Sequence, residues 1–537
     1  MAFNNYLNIM KISKLSAWLL LTLVFSHCQL FRKTTTPTGK EDGLIEVTFL
    51  QMNDVYEISP GTGDNSGGLA RVATIRKELM AKNPNTITVL AGDFISPSVI
   101  GTLKNDGKRI RGKQMIDALN TLGLDWVVFG NHEFDYDEQA DLQARIDESR
   151  FTWMGANARL KTGTGSQQFF KNINGQPVPC PDNQVVTLTD ADGTTLRLGV
   201  FGVLINTGRK PYVEYSDWFA AARKNYAELE PKTDVVVALT HLGQEDDKKL
   251  AALLPKMPLI MGGHDHDNQI HKVGKTTIAK ADANARTVYV HTLIYNTRKK
   301  TYTLRSELRQ VNASITDEPA TAAVVAKWEK IKNEALATAG FSPNTEVTVL
   351  KEPLDCRESM LRFQPAKSGQ LIAQAMLAAS KNKPDCAILN SGSIRVDDIL
   401  TGSLTELDVV RMLPFGGPIA EVEMRGSFLR RTLEAGWNNK GNGGFLQWAN
   451  ISRDDATGAW SIGGQPLEDT RTYHVTLPDF LLSGSELNMG FLQVNVTARG
   501  TVNTPPEMPV ITRADPRSKT DIRNDIRLVL IEYLHPK

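Results

Sequence analysis

The segment Gly130-Asn131-His132-Glu133-Phe134-Asp135 follows directly on a short apolar run, residues 126–129. Four more segments rich in Asp, Asn and His follow apolar runs at residues 45–50, 86–91, 234–239 and 258–261. These segments are Asn53-Asp54-Val55-Tyr56, Gly92-Asp93, Thr240-His241 and Gly262-Gly263-His264-Asp265-His266. Short runs rich in Val and Ile, separated by longer segments with helical periodicity, predict buried strands that alternate with helices.

This alternation predicts a layered α/β domain. Polar residues at the carboxyl ends of parallel strands converge on one crevice, so we expect the five segments to form a single site. Taken singly, each segment has an ordinary structural explanation, such as a turn at Gly92-Asp93 or a hydrogen-bonded buried histidine at His241. Their repetition after five apolar runs favours the shared site.

The candidate ligands indicate the kind of metal centre. They are Asp54, Asp93, Asn131, His241, His264 and His266. Two carboxylates, one carboxamide and three imidazoles, without a thiolate, suit Mn, Fe, Zn, Co or Ni better than a structural zinc. The set exceeds the needs of one tetrahedral ion, so the simplest division is two divalent ions that share a carboxylate. Ions about 3.5–4 Å apart activate water and hold the oxygens of an in-line phosphoryl displacement, which predicts hydrolysis of a phosphate ester.

These motifs resemble those of the calcineurin-like metallophosphoesterases, and within them the 5'-nucleotidase (UshA-like) family. The resemblance extends from about residue 44 to about residue 500 and is most specific at Gly130–Asp135. It implies an N-terminal four-layer α/β/β/α metallophosphoesterase domain followed by a smaller α+β C-terminal domain.

The resemblance also implies a role for each ligand. Asp93 would bridge the two metals. Asp54 and His266 would belong to the first metal site. The second would be completed by Asn131, His241 and His264. His132 would not bind metal. It would lie beside the scissile phosphate with Asn131, oriented by Asp135, and would stabilise transition-state charge or assist the leaving group.

One position departs from the family pattern. Tyr56 stands where the family usually has His, two residues after the first Asp. A neutral phenol is a poor ligand, and its pKa near 10 makes the phenolate costly. We therefore expect fewer protein ligands at the first metal, with altered metal selectivity and retained reaction. His266, where nucleotidases often have Gln, is a milder difference.

The second half of the chain carries the candidate substrate-binding residues. They are Arg357, Arg362, Asn390, Arg395, Phe415, Phe480 and Glu486. Arginine forks bind phosphate oxygens, and paired aromatic faces hold a flat base. The resemblance implies that this domain binds a nucleotide and swings it toward the metals, with Phe415 and Phe480 as the adenine clamp and Asn390 at the base. Outside that context, such phenylalanines would be expected in a core and the arginines in solvent.

The C-terminal motifs also differ from the family in ways that leave base specificity open. Gly484-Ser485-Glu486 replaces the family's Gly-Gly-Asp, and Pro365 and Lys367 replace an acidic residue and Asn. Glu486 is long enough to reach a ribose hydroxyl, but the loop need not have the shape of a nucleotidase loop. The substrate could therefore be another phosphomonoester, such as a sugar phosphate, or a cyclic nucleotide.

Composition excludes some partners. The chain of 537 residues has a formal charge of +1, with 41% hydrophobic and 23% charged residues, which is ordinary for a globular protein. Without residues 1–27, which carry two lysines and no acid, the formal charge is −1. Nothing in this balance indicates a nucleic-acid polymer as partner. Arginines clustered in a pocket fit a small anionic substrate instead.

The amino terminus has the parts of an export signal. Lys11 and Lys14 precede an apolar stretch at residues 17–25, which is too short to span a bilayer stably, and a small residue, Ser26. Cys28 resembles a bacterial lipoprotein acylation site. We expect export to the periplasm or cell surface as a membrane-anchored lipoprotein, and an uncleaved anchor helix is the alternative.

The sequence predicts the following organisation: signal peptide 1–27, linker 28–43, catalytic domain 44–312, connecting region 313–344 with a helix at 320–339, and substrate-binding domain 345–520. Beyond Cys28, the sparse cysteines Cys180, Cys356 and Cys386 allow at most one disulfide, for which Cys356 and Cys386 are the candidates. The oligomeric state stays open.

Three functions remain after these arguments. The leading hypothesis is an exported two-metal phosphohydrolase that acts on nucleotides or related phosphomonoesters. The second is a 2',3'-cyclic-nucleotide or nucleotide-sugar hydrolase on the same scaffold. The third is a surface nucleotide-binding protein with little catalysis, suggested by Tyr56 and the altered loops. Retention of Asp93 together with His132 and Asp135 favours an enzyme.

Overall fold

A computed structural model describes residues 41–61, 65–207, 210–496, 502–515, 517–518 and 520–535. The first domain contains two six-stranded sheets. In spatial order, the strands of the first sheet are Thr301–Gln310, Thr287–Asn296, Leu44–Met52, Thr86–Leu90, Trp126–Val128 and Thr152–Met154. The strands of the second are Asn183–Thr189, Thr195–Leu204, Val235–His241, Leu259–Gly262, Thr276–Lys280 and Gln269–Val273. Four neighbouring strands of each sheet run parallel.

Residue alternation along the strands explains why the sheets pack face to face. In Val235–His241, Val237 and Leu239 join the core between the two sheets, whereas Val236 and Ala238 face the other way. That second face packs on the helices Trp218–Leu229 and Gln244–Leu253. The outer face of the first sheet is covered by Leu69–Lys82 and Lys113–Leu122. The predicted four-layer α/β/β/α domain is confirmed.

The five predicted strands are also found, each to within two residues at either end. All five belong to the parallel parts of the two sheets. Their carboxyl ends lead into the loops that carry the polar segments, as the sequence predicts.

A long helix, Pro319–Thr338, connects the domains. The side chain of Glu318 accepts hydrogen bonds from the backbone N–H groups of Ala320 and Thr321 at its N-terminus. Trp328 packs in the core of the first domain and Leu336 in a core of the second. The helix therefore packs against both domains.

The C-terminal domain is built on a five-stranded sheet. In spatial order its strands are Leu446–Ala449, Cys386–Asn390, Thr472–Pro478, Ile419–Arg425 and Val510–Arg513. One face packs on the helices Lys367–Ala379 and Ile526–Leu534, and the other face on Gly426–Asn438. The mostly antiparallel sheet with separate helices confirms the predicted α+β domain.

The suggested disulfide between Cys356 and Cys386 is wrong. Both cysteines are buried and free, and so is Cys180. Cys356 lies in the core on one face of the C-terminal sheet, whereas Cys386, at the start of a strand, points into the core on the other face. The sheet itself keeps the two thiols apart.

Shorter elements complete the described chain. The short helices are Val99–Thr102, Gln139–Glu148, Glu358–Leu361 and Glu406–Met412, with single 3-10 turns at His132–Phe134, Glu230–Lys232, Ala283–Ala285, Ser391–Ser393, Asp479–Ser483, Gly490–Leu492 and Ile522–Asn524. The short strands are Lys104–Asn105, Lys108–Arg109, Ala158–Thr162, Gly165–Gln167, Phe170–Ile173, Gln176–Pro179, Val213–Tyr215, Glu346–Val349, Leu354–Asp355, Ile399–Leu400, Ser403–Thr405, Ile451–Arg453, Trp460–Ile462, Gln465–Pro466, Asn495–Val496 and Val502–Asn503.

The predicted signal peptide, most of the predicted linker and Cys28 lie outside the described residues. Among the helices that the structure describes, none combines the length and the apolar character that a membrane crossing needs.

Candidate metal centre and phosphoester site

Three of the predicted ligands meet at the carboxyl ends of the parallel strands. Asp93, His241 and His264 each offer a ligand atom, and these atoms lie within 4.8 Å of one another. Asp93 and His241 are fully buried, with Asp93 Oδ2 3.1 Å from His241 Nε2. Asp93 and His264 lie in loops that follow two different strands, and His241 is the last residue of a third strand; the three strands belong to two different sheets.

The backbone at the candidate ligands is unusual. Asp54, Asp93 and His264 have φ values of 52°, 57° and 78°, in the left-handed region that residues with a Cβ seldom adopt. Such conformations cost about 1–3 kcal/mol each and cluster at functional sites, where surrounding contacts enforce them. One such contact is the hydrogen bond from Asp54 N–H to the carbonyl of Gly92, at 3.0 Å.

Glu133 holds two of these loops together. Its buried carboxylate accepts hydrogen bonds from the backbone N–H groups of Gly130 at 2.6 Å, Asp93 at 2.8 Å and Phe94 at 2.8 Å. Burial and the neighbouring Asp93 raise the pKa of Glu133 to about 7, although the three N–H groups oppose this shift. Glu133 therefore fixes the backbone of Asp93 relative to the loop of residues 130–135.

Two glycines are required by close approach. A Cβ on Gly130 would lie 2.1 Å from Asp93 Oδ1, and a Cβ on Gly92, which has φ +80°, would lie 2.6 Å from His241 Nδ1. Real Cβ atoms do not come so close to other heavy atoms. Any side chain at either position would displace a candidate ligand.

His241 is oriented by the backbone. Its Nδ1 lies 2.7 Å from the carbonyl oxygen of Ala91, which can accept the Nδ1 proton and thereby leaves Nε2 directed into the site. Burial lowers the pKa of His241, but the Asp93 carboxylate outweighs it and raises the pKa to about 9. The site therefore stabilises a positive charge at this position.

A buried lysine supports the loops of His241 and His264 from behind. The ammonium of Lys280 donates to the carbonyls of Leu242 at 2.5 Å and Gly263 at 2.8 Å. It also lies 3.0 Å from the buried carboxylate of Asp247 and 2.5 Å from the partly exposed carboxylate of Asp265. Burial alone would lower the pKa of Lys280, but the two carboxylates raise it, so the lysine is charged.

A second group of candidate ligands lies beside the first. His266 Nε2 is 3.6 Å from Asp54 Oδ1 and 3.2 Å from the Tyr56 hydroxyl. The same hydroxyl lies 3.4 Å from Asp93 Oδ2. Burial, together with Asp93 and Asp54, raises the pKa of Tyr56 well above its ordinary value, so Tyr56 is a neutral phenol. Tyr56 thus faces both groups of ligands without adding negative charge.

Unpaired polar atoms show that these residues fit divalent ions. Within the described chain, Asp54 Oδ1 and Asn131 Oδ1 are buried and have no hydrogen-bond partner, and His241 Nε2 has only its 3.1 Å ion-pair contact with Asp93 Oδ2. Leaving a buried polar atom unpaired costs about 1–3 kcal/mol, so groups of such atoms call for an explanation. Oxygen and imidazole nitrogen donors that face one another are the ligands that divalent transition metals prefer.

His132 lies next to this centre with its ring oriented by Asp135. Its Nδ1 is 2.9 Å from Asp135 Oδ2, and its backbone N–H donates to Asp93 Oδ1 at 2.7 Å. Burial lowers the pKa of His132, but the carboxylates of Asp135 and Asp93 outweigh it, and the net shift is upward.

Residues of the C-terminal domain contact His132 and His266. Arg395 donates from Nη2 to His132 Nε2 at 3.0 Å and from Nη1 to Glu358 Oε1 at 2.8 Å. Arg362 also pairs with Glu358. Asp397 Oδ2 lies 2.7 Å from His266 Nδ1. The candidate site is therefore formed by both domains.

The other predicted substrate residues differ in their surroundings. Asn390 Nδ2 donates to Glu486 Oε2 at 2.8 Å, and Arg362 is near enough to influence the pKa of Glu486. Phe415 and Phe480 are 56% and 48% exposed, which excludes the core explanation for both. Arg357, in contrast, makes a two-pronged ion pair with Asp355, at 3.0 and 2.7 Å.

Four contributors were not assigned these roles from the sequence: Glu133, Lys280, Glu358 and Asp397. Glu133 lies inside the most specific motif, so its position offered a signal. Lys280 ends the short buried strand Thr276–Lys280, and a lysine in such a place is usually exposed to solvent. The contacts of Glu358 and Asp397 depend on how the domains meet, for which the sequence carries no local signal.

The chain matches two family models. Calcineurin-like phosphoesterase matches residues 47–268, and 5'-nucleotidase, C-terminal domain matches residues 344–492. The 5'-nucleotidase of Bos taurus is 24% identical over 510 residues, covering 82% of this chain and 83% of that protein. The trifunctional nucleotide phosphoesterase protein YfkN of Bacillus subtilis (strain 168) is 26% identical over 457 residues, covering 78% of this chain and 30% of that protein.

Solved structures share the fold. The 5'-nucleotidase precursor from Thermus thermophilus superimposes with a TM-score of 0.69 at 19% identity, covering 91% of this chain and 96% of that one. The sulfate thiohydrolase SoxB of Thermus thermophilus gives 0.62 at 14% identity, covering 93% and 94%. The chain belongs to the calcineurin-like phosphoesterases that carry a 5'-nucleotidase C-terminal domain. It is a metal-dependent phosphoric ester hydrolase of the 5'-nucleotidase-like type.

Proposed function

We propose that this chain is an exported two-metal phosphohydrolase that removes phosphate from nucleotides or related phosphomonoesters. The observation that carries the proposal is the convergence of Asp93, His241 and His264, with ligand atoms within 4.8 Å of one another, beside the His132–Asp135 pair. The unpaired oxygens of Asp54 and Asn131 support a ligand set larger than these three residues.

In this proposal the ligands divide into two sets that share Asp93. One set adds Asn131, His241 and His264, and the other adds Asp54 and His266. A pair of divalent ions held there, such as Mn, Zn, Co, Fe or Ni, would supply an activated water and would neutralise charge on the phosphoryl oxygens. Tyr56 would contribute a hydrogen bond rather than a metal bond, because its phenol stays protonated.

His132 is placed to act on the substrate itself. Asp135 fixes the imidazole ring through Nδ1, which leaves Nε2 facing the C-terminal domain. A protonated Nε2 could donate to a phosphoryl oxygen or to the leaving oxygen, and such stabilisation of developing charge is a large term in catalysis. The guanidinium of Arg395 opposes protonation of His132, so movement of Arg395 onto a substrate oxygen would favour the imidazolium.

The second domain supplies contacts suited to the rest of a nucleotide. Arg362 and Arg395 carry forks suited to phosphate or ribose oxygens, and the Asn390–Glu486 pair offers polar contacts for a ribose or a base edge. The exposed rings of Phe415 and Phe480 are available for stacking. The nucleotide-hydrolysing relatives support this substrate class.

The test is an assay of the purified protein with Mn, Co, Zn or Mg against nucleoside monophosphates, cyclic nucleotides, nucleotide sugars and sugar phosphates. We expect release of phosphate from at least one nucleoside monophosphate. Preferred cleavage of a cyclic nucleotide or a nucleotide sugar would replace the proposal with the second hypothesis. Inactivity with every metal and substrate would favour a nucleotide-binding protein.

Two variants test the metal centre directly. Asp93→Asn should abolish activity because it removes the shared carboxylate, whereas Tyr56→Phe should retain a substantial part of it. Circular dichroism should show that both variants are folded under the assay conditions. Equal loss of activity in the two variants would show that Tyr56 is a metal ligand.

We also propose that the protein is exported and anchored through an acylated Cys28, which lies outside the described residues. A fatty-acid analogue should label the wild type in cells and should not label Cys28→Ala. Absence of label on the wild type would leave a cleaved signal peptide or an uncleaved anchor.

A further inference from the structure

We propose that Asp397, a residue of the C-terminal domain, positions His266 for metal binding, so that the affinity of the Asp54–His266 subsite depends on contact between the two domains. The inference rests on the proposed function, because it takes His266 as a metal ligand. Asp397 would act through His266 and would not touch metal or substrate.

The geometry fixes both groups. Asp397 is 5% exposed, and its Oδ2 lies 2.7 Å from His266 Nδ1. Its other oxygen, Oδ1, accepts the backbone N–H of Glu358 at 2.8 Å. Because both oxygens are engaged, the carboxylate has one orientation, and the imidazole ring of His266 is held with it.

This contact determines which ring nitrogen of His266 can bind a metal. Asp397 Oδ2 accepts a hydrogen bond from Nδ1–H, which leaves the lone pair on Nε2. Nε2 is the nitrogen that faces Asp54 Oδ1, at 3.6 Å. Carboxylates orient histidine ligands in this way in many metal sites, where their loss weakens metal affinity by about 10–100-fold. The orientation of His266 matters more in this site because the neighbouring Tyr56 is a poor metal ligand.

The loop that carries Asp397 packs against the first domain. Asp397 has φ 44°, so a left-handed conformation occurs at this residue as it does at Asp54, Asp93 and His264. Arg286 of the first domain donates to the carbonyl of Asp397 at 3.2 Å, and Arg395, two residues earlier, contacts His132. Left-handed non-glycine residues persist where surrounding contacts enforce them.

The decisive variant is Asp397→Asn. Asn keeps the size of the side chain, and its oxygen can still accept the N–H of Glu358. Its NH₂ group then faces His266 Nδ1 as a donor, which favours the tautomer with the proton on Nε2 and removes the lone pair from the metal-facing nitrogen. Isothermal titration of the metal-stripped full-length protein with Mn²⁺ should show two sites in the wild type. In Asp397→Asn, one should weaken by about 10–100-fold and the other should stay unchanged.

Three controls separate positioning from charge. Asp398→Asn removes a negative charge from the same loop, where it faces Arg286 at 3.7 Å, and should bind Mn²⁺ as the wild type does. Asp397→Glu keeps the charge but displaces the carboxylate, so it should also weaken one site. In a His266→Gln background, Asp397→Asn should cause no further loss, because the residue through which it acts is gone.

The outcomes are distinguishable. Wild-type affinity in Asp397→Asn, or the same loss with and without His266, would overturn the role of Asp397. Should Asp397→Asn fail to fold, as judged by circular dichroism, Asp397→Glu carries the same comparison. Asp93→Asn reports on the metal centre itself: if it still binds two Mn²⁺ ions like the wild type, the proposed function fails as well. Loss in Asp93→Asn without an effect of Asp397→Asn refutes the positioning role alone.

Discussion

Replacement of Lys280 with Met removes the ammonium that lies between two carboxylates behind the metal loops. The side chains of Lys280 and Asp247 are completely buried, 3.0 Å apart. Removing one member of such a pair costs about 3–5 kcal/mol because the partner is left as an unpaired buried charge. The carbonyls of Leu242 and Gly263 also lose a donor, which adds about 1–3 kcal/mol. Since part of this overlaps, we expect a loss of about 4–6 kcal/mol at pH 7.

The loss should depend on pH, because Asp247 can take up a proton once Lys280 is gone. Burial raises the pKa of Asp247 above its ordinary value of 3.8, and Lys280 opposes that rise in the wild type. At about 1.4 kcal/mol per pH unit above 3.8, protonation costs about 4 kcal/mol at pH 7 and about 2 kcal/mol at pH 5. A raised folded-state pKa means that the variant loses stability as pH rises through this window, so its deficit should be smaller at pH 5 than at pH 7.

Urea unfolding of the metal-free protein, followed by circular dichroism at both pH values, measures these differences. The matched control is Lys256→Met, whose ammonium is 2.8 Å from Glu230 but whose side chain is 79% exposed; it should cost less than about 1 kcal/mol. The double variant Lys280→Met/Asp247→Leu should recover at least half of the loss, because the buried charge pair is gone as a whole. A cost below about 1 kcal/mol for Lys280→Met, or a cost independent of pH, would refute the argument.

Three further predictions concern single carboxylates. Glu133→Gln should lower kcat by about 100-fold, measured at saturating substrate, because Gln keeps only one acceptor oxygen. Its NH₂ group must then face the backbone N–H of either Asp93 or Phe94, and the loop that carries the ligand Asp93 shifts. Glu318→Ala should cost about 1–2 kcal/mol in urea unfolding at pH 7 through loss of the helix cap. Burial raises the pKa of Glu318, but Lys77 and the backbone N–H groups outweigh it and lower the pKa from 4.5 to about 2, so this difference should disappear as pH falls from 4.5 toward 2. Glu358→Gln frees the charge of Arg395 and should lower the inhibition constant of inorganic phosphate by about 3–10-fold, or about 1 kcal/mol; an unchanged constant would exclude Glu358 as a competitor for the anion.

The sequence was sufficient to predict the strands and the grouping of their loops. Apolar runs such as residues 234–239 have the length and composition of buried strands, and the rule for parallel sheets places His241 and Asp93 at the same edge. The strands are recognised from local sequence, and the grouping of their loops follows from the handedness of strand connections and from the packing of layers. The three-residue cluster of Asp93, His241 and His264 in the structure is the result they anticipate.

Contacts that depend on whether a side chain points inward, or on how the two domains are oriented, were not predictable from the sequence. Lys280, at the end of a short strand, could face solvent or the interior, and only the fold shows that it points inward to Asp247. The bond between Asp397 and His266 joins residues 131 positions apart and requires the domains to meet in one orientation. The suggested pairing of Cys356 with Cys386 failed for a similar reason, because spacing does not reveal opposite sides of a sheet.

The bond from Arg395 to His132 has a consequence for how tightly any substrate can be held. A guanidinium offers donors only, so a ligand that approaches Nε2 must first replace the arginine, and the measured dissociation constant includes the energy of that exchange. Shortening Arg395 would remove a contact with the substrate, which lowers affinity. It would also remove the group that competes with the substrate for His132 Nε2, which raises affinity.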